Sequence, residues 1–300
     1  MDKNSIANSF RELQDHICVA LEKVDGKALF QQDLWEREEG GGGRTRTLID
    51  GNIIEKGGVA FSEVHGPVSN VMKKQLQLDG EVFFATGVSI VLHAASPHIP
   101  IIHMNVRYFE LDNGKSYWFG GGIDLTPHYI DTSLAGDFHR ALKEVCDQYN
   151  PAFYPKFKVW ADDYFFNVHR NETRGVGGIF FDHLSAVEAG ISKDQLLEFC
   201  IALGELFPIL YKHQVDAGKE LPVKESHSAW QSIRRGRYVE FNLVHDRGTK
   251  FGLLSGGRTE SILMSLPPMA KWEYGQVLED HSQESESLRL LKKDIDWVSF

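Results

Sequence analysis

The chain has 300 residues, 42% of them hydrophobic and 25% charged, with a net charge of −10. That balance fits a soluble globular protein; it excludes the dense basic footprint of a nucleic-acid binder, and no apolar run nears the ~20 residues of a membrane helix. Three scattered cysteines, Cys18, Cys146 and Cys200, supply neither a disulfide framework nor a zinc knuckle, so a reducing cytoplasm is expected.

In chain order, Ile6, Phe10, Leu13, Ile17 and Leu21 recur at helical spacing behind Asn4 as a cap, without the continuous apolar stretch of a signal peptide. "EEGGGGRTR", residues 38–46, is the one low-complexity patch. No Gly-Lys-Ser/Thr follows it, which excludes a Walker loop and leaves a mobile loop with two arginines. Alternating segments at 52–64, 82–93, 101–111 and 116–125 predict strands. Helical patterns occupy 134–148, 155–170, 193–214 and 224–235. A strand pair is expected at 237–245 and 250–254, and a charged helical segment at 283–294. Consecutive strands with short connections favour antiparallel pairing, hence an α+β fold over a doubly wound sheet. No repeat or linker divides the chain, so residues 1–300 read as one domain.

The segment 101–111 carries the chemistry. One face holds Ile102, Met104, Val106 and Tyr108; the other holds His103, Asn105, Arg107 and Phe109. The preceding strand aligns Ser89, Val91 and His93. Folded back with His93 opposite His103, it sets Ser89 opposite Arg107. A strand histidine is ordinarily a satisfied or surface group, and a sheet arginine an exposed charge. Against this, Tyr108, Phe109, Tyr117, Trp118 and Phe119 point to cover on both faces, where a guanidinium needs a partner or an anionic ligand.

Gly120–Gly122 mark either a bend or the close approach of a flat ligand. Asp124 is then either an arginine's partner or an acceptor for ligand N–H groups. His139 lies beside a helical apolar stripe, and His169 ends a predicted helix, where its charged form is a favourable cap. With His93 and His103 they make a candidate four-histidine metal set, although the spacing matches no compact ligand signature. Gly256, Gly257 and Arg258 follow a predicted strand, as a plain turn or as an anion cradle with a bidentate arginine.

"GGGGRTRTLIDGNIIEKGGV", "HMNVRYFE", "WFGGGIDLTP", "YFFNVHRNETRGVGGIFFD", "RRGRYVEFNLVHDRGT" and "GGRTESILMSLPP" together resemble the oxygen-dependent coproporphyrinogen-III oxidase family, over about residues 38–268. The resemblance implies oxidative decarboxylation of two propionates of coproporphyrinogen III to vinyls in haem biosynthesis. The product is protoporphyrinogen IX and O2 is the oxidant. It implies a large, flat antiparallel sheet between helices, and a homodimer joined through about residues 238–273.

By the same resemblance His103 is the proton donor, while Ser89, Asn105, Val106, Arg107, Gly256, Gly257 and Arg258 contact substrate. Arg107 and Asp124 form a pair gripping a propionate and the pyrrole N–H groups. His93, His103, His139 and His169 are metal-ligand candidates, with no organic cofactor implied. The chain departs from the family pattern at Ala94, Ser96 and His245, where Pro, Asn and Tyr are expected. Two other classes stand beside this reading: a metal-dependent oxygenase, and a tetrapyrrole-binding protein without catalysis.

Overall fold

The computed structural model describes residues 1–76, 79–254 and 257–300. From the N-terminus come α1 (Lys3–Asp25), β1 (Gln31–Glu36), β2 (Gly41–Ile49), β3 (Ile54–Pro67), α2 (Asn70–Leu76), β4 (Val82–Ala94), β5 (Ile101–Leu111) and β6 (Ser116–Thr126). There follow α3 (Thr132–Tyr149), α4 (Phe153–Tyr164), the short pair β7 (Phe166–Asn167) and β8 (Glu172–Thr173), β9 (Gly177–Leu184) and α5 (Ala186–Ala189). The chain closes with α6 (Lys193–Gly218), α7 (Glu225–Glu240), α8 (Arg247–Leu254), α9 (Thr259–Leu263) and α10 (Gln283–Arg289).

Seven strands pair antiparallel in the order β1-β2-β3-β4-β5-β6-β9. Because side chains alternate, the sheet sorts its residues into two layers. Val88, Ile90, Leu92, Ile102, Met104, Val106, Tyr108, Phe119 and Ile123 face a core shared with α1, α3 and α6. There α1 lays down Ile6, Phe10, Leu13, Ile17 and Leu21, each at most 2% exposed. Each such side chain contributes roughly 1.5–3 kcal/mol by leaving water. Gln14 pins α1 to the sheet by donating to the carbonyls of Arg44 and Val59, both at 2.7 Å.

Among the described residues, the opposite face is covered at several separate places. Tyr238 of α7 packs on Val91 and Ile101, and Phe251 of α8 against the cluster of Phe83 and Phe109. Below α9, Met264 fills the space above Gly58, where a Cβ would fall 1.8 Å from its sulfur. Between these covers runs a strip of half-buried residues: Ala85, Ser89, His103, Asn105 and Arg107.

The α+β class with helices on both faces is as expected, and β5 has the expected bounds. Several local expectations are corrected. The N-cap of α1 is Asp2, whose carboxylate accepts from the amides of Asn4 and Ser5. Residues 38–46 are largely the start of β2 rather than a loop: Gly42 and Gly43 lie so close to Trp35 that a Cβ would meet its atoms at 2.2 Å. The helix at 155–170 stops at Tyr164, and His169 sits in a 3-10 turn.

The strand pair at 237–245 and 250–254 is helical: α7 runs to Glu240, a π-helical turn spans Phe241–His245, and α8 follows. Trp230, Arg234, Tyr238 and Phe241 bury one face at three- and four-residue spacing, and that periodicity overrides the local β-branched and aromatic content. Strands β1 and β9 were not anticipated. Both lack simple alternation: β9 is buried along most of its length, and β1 is an exposed edge.

Candidate active site

On β4 and β5 the register pairs Val91 with His103, Ser89 with Asn105 and Gly87 with Arg107. This is two residues from the expected pairing, so the faces are conserved and the neighbours are not. Arg107 consequently lies between two glycines. Gly87 is opposite it on β4 and Gly120 on β6. A Cβ on Gly120 would fall 2.7 Å from Asp182 Oδ1 and 2.9 Å from Arg107 Nε. The bare backbone lets the guanidinium reach across β6 to Asp182 (3.0 Å) while it also donates to Asn105 Oδ1 (2.8 Å). The Arg107 side chain keeps 36% exposure, so a charged fork with a polar collar stands open to the strip.

Four residues back along β5 from Arg107, His103 faces Asp124 on β6. Its Nδ1 donates to Asp124 Oδ1 at 2.7 Å. The carboxylate is 2% exposed and held from the other side by Arg174, whose Nη2 is 2.7 Å from both oxygens and whose Nε is 3.2 Å from Oδ2. Burial alone would raise the Asp124 pKa, but the Arg174 charge and the His103 hydrogen bond hold it below the usual carboxylate range. Arg174 is itself buried, its guanidinium lying 4.4, 4.8 and 4.7 Å from the ring centres of Phe165, Tyr238 and Phe241. With Nδ1 committed, Nε2 is the nitrogen His103 has left for a ligand.

Arg107 and Asp124 do not bond each other: Asp124 pairs with Arg174 and His103, and Arg107 with Asp182 and Asn105. Ser89 is half-buried on the same strip. The Val106 side chain is fully buried in the opposite layer, so only its backbone faces any ligand over the strip. Gly256 lies outside the described residues. Gly257 and Arg258 follow a helix, not a strand; the Gly257 amide bonds the Gly252 carbonyl at 2.8 Å, and Arg258 pairs with Asp33 of β1.

The four histidines do not share a donor set. His93 is fully buried, donates from Nε2 to the Ser265 carbonyl (2.8 Å), and is kept neutral by burial, its pKa lowered to about 3. His139 is buried elsewhere, between Tyr154 Oη (2.9 Å) and the Val176 carbonyl (3.0 Å). His169 bonds His245 Nε2 and Glu240 Oε2, each at 2.8 Å. Among the described residues no group of three or more His, Cys, Asp or Glu is arranged to hold a metal ion. These residues do not fit the metal the resemblance admits.

Sequence reasoning missed Arg174. Its signal was an arginine directly ahead of the glycine-rich "GVGG" that starts β9. Residues 5–297 match the family model described as coproporphyrinogen III oxidase. The chain belongs to the coproporphyrinogen III oxidase family.

Similar relatives of that family include the human "Oxygen-dependent coproporphyrinogen-III oxidase, mitochondrial", 48% identical over 305 residues. That match covers 96% of this chain and 65% of the human protein, so the chain spans somewhat under two thirds of its length. The mouse protein of the same description is also 48% identical, with 67% of its length covered. An "Oxygen-dependent coproporphyrinogen-III oxidase" of Prochlorococcus marinus (strain NATL2A) is 46% identical over 312 residues, covering 96% of this chain and 89% of the relative.

Proposed function

We propose that this chain catalyses the oxygen-dependent decarboxylation of two propionates of coproporphyrinogen III to vinyl groups, giving protoporphyrinogen IX. The observation that carries the reading is the juxtaposition on one strip of sheet: an anion-ready Arg107 with a glycine on either side, beside a buried Asp124–His103 dyad. A tetracarboxylate on a protein of net charge −10 needs such local cations, because the overall field repels it.

Each propionate loses CO2 and the equivalent of a hydride, and O2 with one proton takes that pair of electrons to become hydrogen peroxide. The porphyrinogen is electron-rich enough to react with O2, so the work left to the protein is orientation and proton control. Arg107 holds a carboxylate against the floor. Arg258 is placed to take a second one if it exchanges Asp33 for the ligand. Ser89, Asn105 and the backbone of Val106 and Gly257 complete the polar contacts. His103 moves the proton through Nε2 and Asp124 holds its ring.

The chain is read as one domain acting as a homodimer in the cytoplasm. Leu243, Val244, Leu254, Met269 and Trp272, each at least 45% exposed within or beside residues 238–273, support a covered apolar face there. Among the described residues no helix is long and apolar enough to cross a membrane.

The test is turnover of coproporphyrinogen III by purified, metal-analysed protein, with and without O2, following protoporphyrinogen and CO2. Oxygen-dependent product is expected. Tight porphyrin binding with no CO2 release would replace the enzyme by a binding protein, and product only with stoichiometric bound metal would overturn the metal-free proton chemistry.

A further inference from the structure

We propose that Arg174 is a positioning residue: by clamping Asp124 it keeps the imidazole proton of His103 on Nδ1 and leaves the Nε2 lone pair directed to the cleft. As a statement about turnover this rests on the activity proposed above; as a statement about the imidazole it does not.

The case begins with charge. Asp124 and Arg174 are each 2% exposed, and together they are neutral. Remove the guanidinium and a buried carboxylate is left with one neutral imidazole for company, a state several kcal/mol uphill. Two proton arrangements relieve it. His103 gains a second proton and becomes the counter-ion, or the carboxyl takes a proton and donates it to Nδ1, pushing the ring hydrogen to the far side. Both put a proton on Nε2. Arg174 makes neither necessary: its Nη2 lies 2.7 Å from both Asp124 oxygens and 3.5 Å from His103 Nδ1.

The clamp is built to stay put. Three aromatic faces exclude water from the guanidinium, and Nη1 reaches Asn242 Oδ1 at 3.4 Å. The Arg174 amide bonds the Phe165 carbonyl at 2.8 Å. Beyond it the backbone is pressed against β6. A Cβ on Gly175 would meet the Leu125 carbonyl at 2.2 Å, and one on Gly178 the Ile123 carbonyl at 2.0 Å. Glycines there let the segment lie against the strand that carries Asp124. The Phe165 ring also stands edge-on to the imidazole at 6.2 Å, an apolar neighbour with no acceptor for a competing tautomer. An arginine suits the task better than a lysine, because its planar fork meets both carboxylate oxygens while stacking on rings.

The experiment is long-range 1H–15N NMR of histidine-labelled protein near neutral pH, with the His103 signals assigned by their loss in His103→Asn. In the unaltered protein Nε2 should give a pyridine-type signal and Nδ1 a pyrrole-type one. In Arg174→Gln, Nε2 should turn pyrrole-type, with kcat down at least about 10²-fold and KM within about threefold. Arg174→Lys should restore at least about tenfold of that kcat and part of the pyridine-type signal. A protonated Nε2 in the unaltered protein overturns the proposal with no variant needed, as does an unchanged signal in folded Arg174→Gln. Expected tautomers in a protein that turns over no porphyrinogen would uphold the clamp and remove the activity instead.

Discussion

At the scale of single residues, the site is set as much by missing side chains as by present ones. Gly120→Ala would introduce a methyl against the Arg107 and Asp182 tips, which can shift, rather than against backbone. The expected result is a melting temperature within a few degrees of the parent and a KM raised about tenfold, checked by calorimetry and steady-state kinetics. An unchanged KM would take the Arg107–Asp182 pair out of ligand binding. Asp124→Ala is different in kind. It strands Arg174 in a buried aromatic box, so a stability loss of about 3–5 kcal/mol by urea unfolding should accompany the loss of turnover. The histidine, amide and arginine of β5 were legible in the sequence because alternation assigns a face to every strand residue. Arg174 was not, because its partner Asp124 lies fifty residues earlier, on β6, and no local spacing or periodicity links the two.

At the scale of elements, the central strands were readable and the covering layer was not. β5 shows period-two alternation, β4, β5 and β6 all have clear breaks at their ends, and their predicted bounds hold to within a residue or so. The segment 237–254 misled because its short runs of Tyr, Val, Phe and Leu carry strand propensity, while the helical burial pattern spans residues 230–241 and appears only over the longer window. Its outcome matters for function: α8 and the Gly257–Arg258 turn come off a π-helical turn, and Arg258 is tethered to the edge strand β1 through Asp33. Arg258→Ala should raise KM about tenfold and leave kcat within a few-fold, as expected for a carboxylate grip outside the reacting bond. Normal kinetics in that variant would confine the arginine to holding β1.

At the scale of the whole molecule, acid should unfold this protein in two stages. Burial lowers the pKa of His93, His128 and His139 to about 3, against 6.5 for the free side chain. Between those values the unfolded chain binds protons that the folded one refuses, so stability is complete above pH 6.5 and falls as pH drops toward 3. Glu240 adds a lower window. Burial opposes its charge, yet Arg170, His169, Trp272 and Arg237 bring its pKa down to about 2 from 4.5. Its contribution is present above pH 4.5 and lost as pH falls toward 2. Melting temperature measured against pH should decline from about 6.5 downward, and Glu240→Gln should flatten the portion below 4.5. A curve flat to pH 4 would contradict the buried neutral histidines. Sedimentation should give a dimer mass, and Trp272→Glu should shift it toward the monomer.

The Gly87–Arg107–Gly120 row has a practical consequence for anyone wishing to redirect this site. At its two glycines, Gly87 and Gly120, every substitution adds bulk and none subtracts it. At Gly87 the added carbon would strike the Val106 carbonyl at 2.4 Å and the Arg107 backbone at 2.9 Å, leaving little slack to absorb it. A library aimed at a new ligand should therefore randomise the polar side chains around the row, at Ser89, Asp182 and Arg258, and leave the two glycines as they are. Winners should be found there, and Gly87 variants should be recovered mostly as poorly folded chains.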